Sequence, residues 1–143
     1  MPNELSESPA RSLRQAHASL LEDLRKLEDA AQASGAKPED LRACLLATQA
    51  HVTEHFRFEE QDGYFAAVRK RAPHAHRTIQ ELAEDHRRLA GALQGLIQES
   101  TAPIVAEPLR KRIAEWVLWV RDHEARENKL VQEVFNRDFE AED

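Results

Sequence analysis

HVTEHFRFEE, residues 51–60, continues the periodicity of LRACLLATQA, residues 41–50, directly before it. Read as one helix, Leu41, Leu45, Thr48, Val52, His55 and Glu59 advance in alternating steps of four and three and fall on a single stripe. The stripe is mostly apolar and so faces a core, yet it ends on an imidazole and a carboxylate one turn apart. A His-x-x-x-acid pair is by itself commonplace in a chain with 26 acidic residues among 143, and is usually a surface ion pair. This pair is informative because it lies on the buried stripe and not on the charged face.

The same pattern recurs on either side. Ser8-Pro9 reads as a helix start, with Ser8 capping and the missing N–H of Pro9 harmless in the first turn. From there Leu13, His17, Leu20, Leu24, Leu27 and Ala31 form a stripe that stops near Ser34-Gly35, with Gly35 a left-handed terminator. Pro38, Glu39 and Asp40 open the second helix, and Asp62-Gly63 interrupts it. The segment through RKRAP, residues 69–73, reads as a connection pinned to the bundle end by Phe65 and Val68. A third helix from Pro73 carries Ile79, Leu82, His86, Leu89, Leu93 and Leu96 or Ile97, and ends at Ser100 to Pro103. A fourth, from Pro108 to Phe135, carries Ile113, Trp116, Val120, His123, Glu127, Leu130 and Val134. The expected fold is all-α, an antiparallel up-down-up-down four-helix bundle over residues 8–136, between a flexible N-terminal tail (1–7) and an acidic C-terminal tail (137–143).

Composition agrees with that architecture and narrows the function. The length suits one domain with one core, and only four glycines beside abundant Ala, Leu, Glu and Arg favour helix. A net charge of -6 argues against nucleic acid as a partner, since phosphate binding needs a basic face. A single cysteine, Cys44, leaves no internal disulfide and fits a reducing compartment. The first twenty residues lack a continuous apolar region, and the longest strongly apolar run, WVLWV at 116–120, is far short of a membrane span. A cytoplasmic protein with no membrane association is the expectation.

His17, His55, Glu59, His86, His123 and Glu127 each occupy the apolar stripe of their helix. Burying so many ionisable groups costs several kcal/mol each unless they satisfy one another or a cation. In an antiparallel bundle they also share a level: His17 and His86 lie near the starts of their helices, the two His-x-x-x-Glu pairs near the ends of theirs. One at a time, each has an ordinary reading as a surface pair or hydrogen-bonded core histidine; together they read as a metal site. Four imidazoles and two carboxylates exceed what one tetrahedral zinc takes, and the absence of thiolates removes iron–sulfur clusters. Two metals bridged by Glu59 and Glu127, with His17 and His55 on one and His86 and His123 on the other, account for every ligand and leave room for a solvent-derived bridge and an exogenous molecule. A nitrogen-rich open site of this kind suits iron.

The order His17, His55-FRF-Glu59, His86, His123-EAR-Glu127, with the strings EHFRFEE and LAEDHRRL, resembles the hemerythrin-like (HHE cation-binding) family over about residues 10–135. The resemblance implies a non-haem di-iron centre, oxo- or hydroxo-bridged, that binds or reacts with dioxygen, nitric oxide or peroxide. Two departures stand out. Oxygen-carrying members have another histidine one turn before the third-helix ligand, where this chain has Leu82, and an aspartate five residues after the last histidine, where it has Asn128 and offers Glu127 instead. One imidazole fewer leaves both metals more open, favouring reactive or sensing chemistry over oxygen storage. The alternatives are a non-enzymatic iron or oxygen sensor or carrier and a metal-free helical interaction module.

Residues close to the motif have readings of their own. His51, just off the stripe, reads as supporting or exposed, and not as a ligand. Glu60 reads as a solvated helix residue, with a labile extra carboxylate as the alternative. Tyr64 is a candidate hydrogen-bond donor to the site or a loop-packing residue. Phe58 and Trp119 read as the apolar wall of the site, and Cys44 as an inert thiol about three turns from His55. The basic cluster Arg69, Lys70, Arg71, His74, His76 and Arg77 reads as a solvated loop.

Overall fold

The computed structural model of the chain describes residues 9–142, so the expected tail 1–7 and the Ser8 cap lie outside the described residues. Its helices are α1 (Pro9–Gln32), α2 (Pro38–Arg57), a short α3 (Tyr64–Arg71), α4 (His76–Glu99) and α5 (Glu107–Glu142), with one π-helical turn at Phe58–Asp62 and a 3-10 turn at Pro73–Ala75. Pro38 occupies the first turn of α2 with Glu39 and Asp40 beside it, where the backbone has N–H groups to spare. Gly35 takes φ +73°, the left-handed terminator expected after α1.

Cross-helix contacts run in opposite chain order on every side. Near the start of α1, His17 meets Asn128 of α5, while Arg110 at the start of α5 donates to the Ala31 carbonyl near the end of α1. His17 with Glu59 and Asp23 with His51 set α1 against α2 in the same sense. Gln49 with Gln94 and Glu60 with His86 do so for α2 and α4, as do Glu99 with Arg112 and Asp85 with Arg126 for α4 and α5. Each long helix is therefore antiparallel to both neighbours in the ring α1–α2–α4–α5.

The predicted stripes are the buried ones; only Leu130 and Val134, at the far end of α5, are half-buried. The apolar interior falls into two clusters. The larger includes Leu20, Leu24, Leu45, Leu93, Ile113 and Trp116, whose indole N–H donates to the Leu89 carbonyl at 2.9 Å. The smaller gathers Leu13, Ile79, Leu82 and Val131 under Tyr64, Phe65 and Val68 of α3. On α1, α4 and α5 the buried histidines and glutamates lie in chain order between these clusters.

Three features differ from the sequence reading. The connection after Gly63 contains α3, because Tyr64, Phe65 and Val68 recur at helical spacing and are buried against the bundle end. The last helix does not stop at Phe135 but continues through the acidic segment to Glu142. Finally, α2 does not end in a plain α-helical turn. The π turn holds one extra residue and so rotates the chain beyond it, and Gly63 closes it so tightly that a Cβ there would stand 2.7 Å from the Phe58 carbonyl oxygen.

Candidate metal centre

All six residues singled out in the sequence come together, each no more than 5% exposed. Their ligating atoms form two groups, each with all atoms within 4.8 Å of one another: His17, His55, Glu59 and Glu127 in one, and Glu59, His86, His123 and Glu127 in the other. Both glutamates belong to both groups, and each divides its two oxygens between them. Glu59 Oε2 lies 3.0 Å from His17 Nε2 and 2.9 Å from His55 Nε2, while its Oε1 lies 3.0 Å from His86 Nε2. Glu127 Oε1 lies 2.9 Å from His17 Nε2, while its Oε2 lies 3.0 Å from His123 Nε2 and 3.3 Å from His86 Nε2.

The four imidazoles converge through the same nitrogen, Nε2. On three of them the other nitrogen faces outward to a supporting group. His17 Nδ1 is 3.1 Å from Asn128 Oδ1, His86 Nδ1 is 2.5 Å from Glu60 Oε2, and His123 Nδ1 is 3.3 Å from Asp85 Oδ2. Acceptors at Nδ1 hold the proton there and turn the lone pair of Nε2 inward, the tautomer a metal ligand requires. The Tyr64 hydroxyl donates to Glu127 Oε2 at 2.8 Å.

The donor set fits a pair of cations. His55 Nε2, His123 Nε2 and Glu59 Oε1 are buried and, despite short contacts, make no hydrogen bond of proper geometry among the described residues. Buried polar atoms without partners are costly, and a cation among them would satisfy them. Without one, protons take its place. Burial pushes the His17 and His86 rings down, but their contacts with Glu127 and Glu59 outweigh it and raise both to about 10. Burial raises Glu59 and Glu127, yet the surrounding imidazoles bring both below the usual carboxylate range. Burial and the neighbouring Glu127 push the Tyr64 phenol up, so it remains a donor.

Several neighbours differ from their sequence reading. Glu60 is not a freely solvated residue but the support of His86, because the π turn brings it to the inner side. Phe58, 36% exposed, does not wall the site, and Trp119, 57% exposed, only borders an outer cleft that His123 also lines. The wall is Phe56, stacked on His86 at 3.9 Å between ring centroids, and Phe65, parallel to the same ring at 5.7 Å. Phe56 was legible four residues after Val52, on the edge of the stripe. His51 is half-buried, 2.6 Å from Asp23, and stays outside both groups. Cys44 is half-buried against the larger cluster. Arg69, Lys70 and Arg71 are exposed on α3, so the basic segment is partly helix and not loop.

Sequence reasoning missed Glu124. It is buried, and among the described residues both its carboxylate oxygens lack a hydrogen-bond partner. Burial raises its carboxyl to about 8. The available signal was a second row on α5, Val117, Glu124 and Val131, seven residues apart beside the stripe from Ile113 to Glu127; all three are buried.

Among comparisons with known proteins, a family model described as the Hemerythrin HHE cation binding domain matches residues 8–135. No curated protein and no solved structure gives a significant match.

Proposed function

The chain belongs to the hemerythrin HHE cation-binding family, and on that premise we propose that it is a cytoplasmic non-haem di-iron protein that binds or reacts with dioxygen, nitric oxide or peroxide. One observation carries the reading: two groups of buried ligating atoms share both carboxylates, each carboxylate giving one oxygen to each histidine pair. Two glutamates shared between the positions and two imidazoles at each would leave coordination sites for a small molecule, and the mixed nitrogen and oxygen donors suit iron. Among the described residues, no helix is long and apolar enough to cross a membrane.

A pair of irons supplies the redox and gas-binding chemistry that side chains lack. The protein's part is to hold, orient and dry the site. His17 and His55 would hold one position, His86 and His123 the other, and Glu59 and Glu127 both. Asn128, Glu60 and Asp85 keep the Nδ1 protons on three of the rings, so that Nε2 stays directed inward. Tyr64 fixes the rotation of the Glu127 carboxylate. Phe56 and Phe65 cover the His86 ring and exclude water from that side.

Elemental analysis and an ultraviolet–visible spectrum of protein expressed in iron-replete medium test the proposal. About two irons per chain with oxo-bridged ferric absorption is the expected result, and nitric oxide, dioxygen and peroxide titrations of the reduced form then rank the three ligands. Zinc alone, or no metal in a fully folded bundle, overturns it.

A further inference from the structure

Glu124 has no role among the six ligands or their supports, and its surroundings are unusual. Its side chain is 4% exposed, both oxygens are shielded from solvent, and neither has a hydrogen-bond partner among the described residues. Arg121, one turn before it, donates instead to Glu28 at 2.8 Å. The polar atom that Glu124 approaches is His55 Nε2, 3.6 Å from Oε2, itself buried and unpartnered. A carboxyl group kept out of water without a donor or acceptor is costly whether ionised or protonated, so packing alone is a poor account of it.

We propose that Glu124 is a further carboxylate ligand of the His17/His55 metal position, making the two positions unequal: five protein ligands on that side against four on the His86/His123 side. The inference rests on the di-metal reading and extends it to a residue outside the six. The acids near the other pair are already committed. Glu60 supports His86 Nδ1, and Asp85 Oδ2 lies 3.3 Å from His123 Nδ1 and accepts from Arg126 at 2.7 Å. A cleft of about 450 Å³ between α1 and α5 is lined in part by His17 and Glu124, with Arg25 and Arg121. Glu124 thus borders the cleft beside the His17/His55 position, and coordination by it would fill a site on that side. A second cleft, of about 240 Å³ and lined in part by Arg88, Trp119 and Arg126, reaches His123 and leaves the four-ligand position as the one that accepts an external molecule. A third carboxylate also adds charge to one position only, so that position fills first.

Anaerobic cobalt(II) titration of the full chain, read by visible absorption, tests this with Glu124→Gln. Wild type is expected to take up two equivalents in unequal steps, and Glu124→Gln to weaken the tighter step by about tenfold or more while keeping two equivalents. In a His86→Ala background, where the His17/His55 position is the better preserved, Glu124→Gln must again weaken binding; in a His55→Ala background it must not. Equal weakening of both steps, or none, overturns the assignment of Glu124 and leaves the di-metal reading intact. Wild type that takes up no cobalt or iron sinks the di-metal reading itself. Should Glu124→Gln fold poorly by circular dichroism, a crystal structure of wild type with one equivalent of zinc decides. A Glu124 oxygen at about 2.0–2.2 Å from the ion supports the proposal, and a carboxylate turned away from it overturns the proposal.

Discussion

Around His86 and His123 the outward nitrogens meet acids, Glu60 at 2.5 Å and Asp85 at 3.3 Å, and the aromatic rings of Phe56 and Phe65 lie parallel to His86. Around His17 and His55 the support is different: His17 meets the neutral Asn128, and the nearby acid, Glu124, faces inward toward His55 Nε2. One half uses its extra carboxylates to hold and polarise imidazoles; the other aims one at the position the imidazoles surround. A supporting acid makes its imidazole a stronger donor without occupying a coordination site. Extra carboxylates therefore produce a stiff, open half on one side and a more filled half on the other, joined by two shared glutamates.

The largest effect should come from removing what the halves share. Glu59→Ala takes an oxygen from both groups at once and should abolish binding of both metals, with elemental analysis showing less than about a tenth of wild-type content. Full retention of two ions would refute the bridging role. Removing one histidine should separate the halves: His55→Ala and His86→Ala are each expected to lower content from about two ions to about one. If either substitution empties both positions, the halves are cooperative and the contrast drawn between them does not hold for binding.

Gly63 tests the local geometry that sets up the open half. A Cβ at Gly63 would lie 2.7 Å from the Phe58 carbonyl oxygen and 3.0 Å from Glu59 Cα, both backbone atoms that cannot step aside alone. Gly63→Ala should therefore force the π turn apart, costing about 1–3 kcal/mol, and disturb Glu60 and Tyr64, whose placement depends on that turn. Thermal unfolding reads the cost. Metal titration should show the His86/His123 position weakened more than the other; equal weakening would mean that the π turn serves the shared Glu59 alone.

The limits of the sequence reading fall along the same division. Leu13 to Ala31, Leu41 to Glu59, Ile79 to Leu96 and Ile113 to Glu127 were legible as stripes because an α-helix maps spacing onto a face with little ambiguity. Six inward histidines and glutamates stood out because polar residues on such a stripe are expensive. Glu124 did not, since it lies beside the stripe on a helix whose buried face is wider than one row, including Val117 and Val131. Glu60 was misread because a π turn leaves no mark in the spacing of residues before it, and the rotation becomes apparent only through Tyr64 and Phe65 beyond. Phe58 was misread as lining the site because adjacency in sequence was taken for adjacency in space: it directly precedes Glu59, and one residue along a helix is about 100° around it.

The smallest effect concerns pH, and its sign depends on the metal. In the metal-free protein His17 and His86 titrate at about 10, above the ordinary value of 6.5. Their protonation therefore contributes stability that is complete below pH 6.5 and lost as pH rises towards 10. Glu124, raised to about 8 from 4.5, loses its contribution as pH rises from 4.5 towards 8, because burial opposes an ionised carboxylate. Glu59 and Glu127 are lowered, so their contribution is present above 4.5 and falls away only in acid. Above pH 6.5 the metal-free bundle should therefore become steadily easier to melt. The loaded protein should not show this decline, because coordinated imidazoles have already given up their Nε2 protons and acid, by returning them, weakens metal binding. Melting temperatures from about pH 6 to 9 are expected to fall without metal and to hold or rise with it. Glu124→Gln should flatten the decline below about pH 8 without removing the remainder, which belongs to one histidine from each half. Parallel curves with and without metal would show that the imidazoles do not exchange protons for metal, whichever half they belong to.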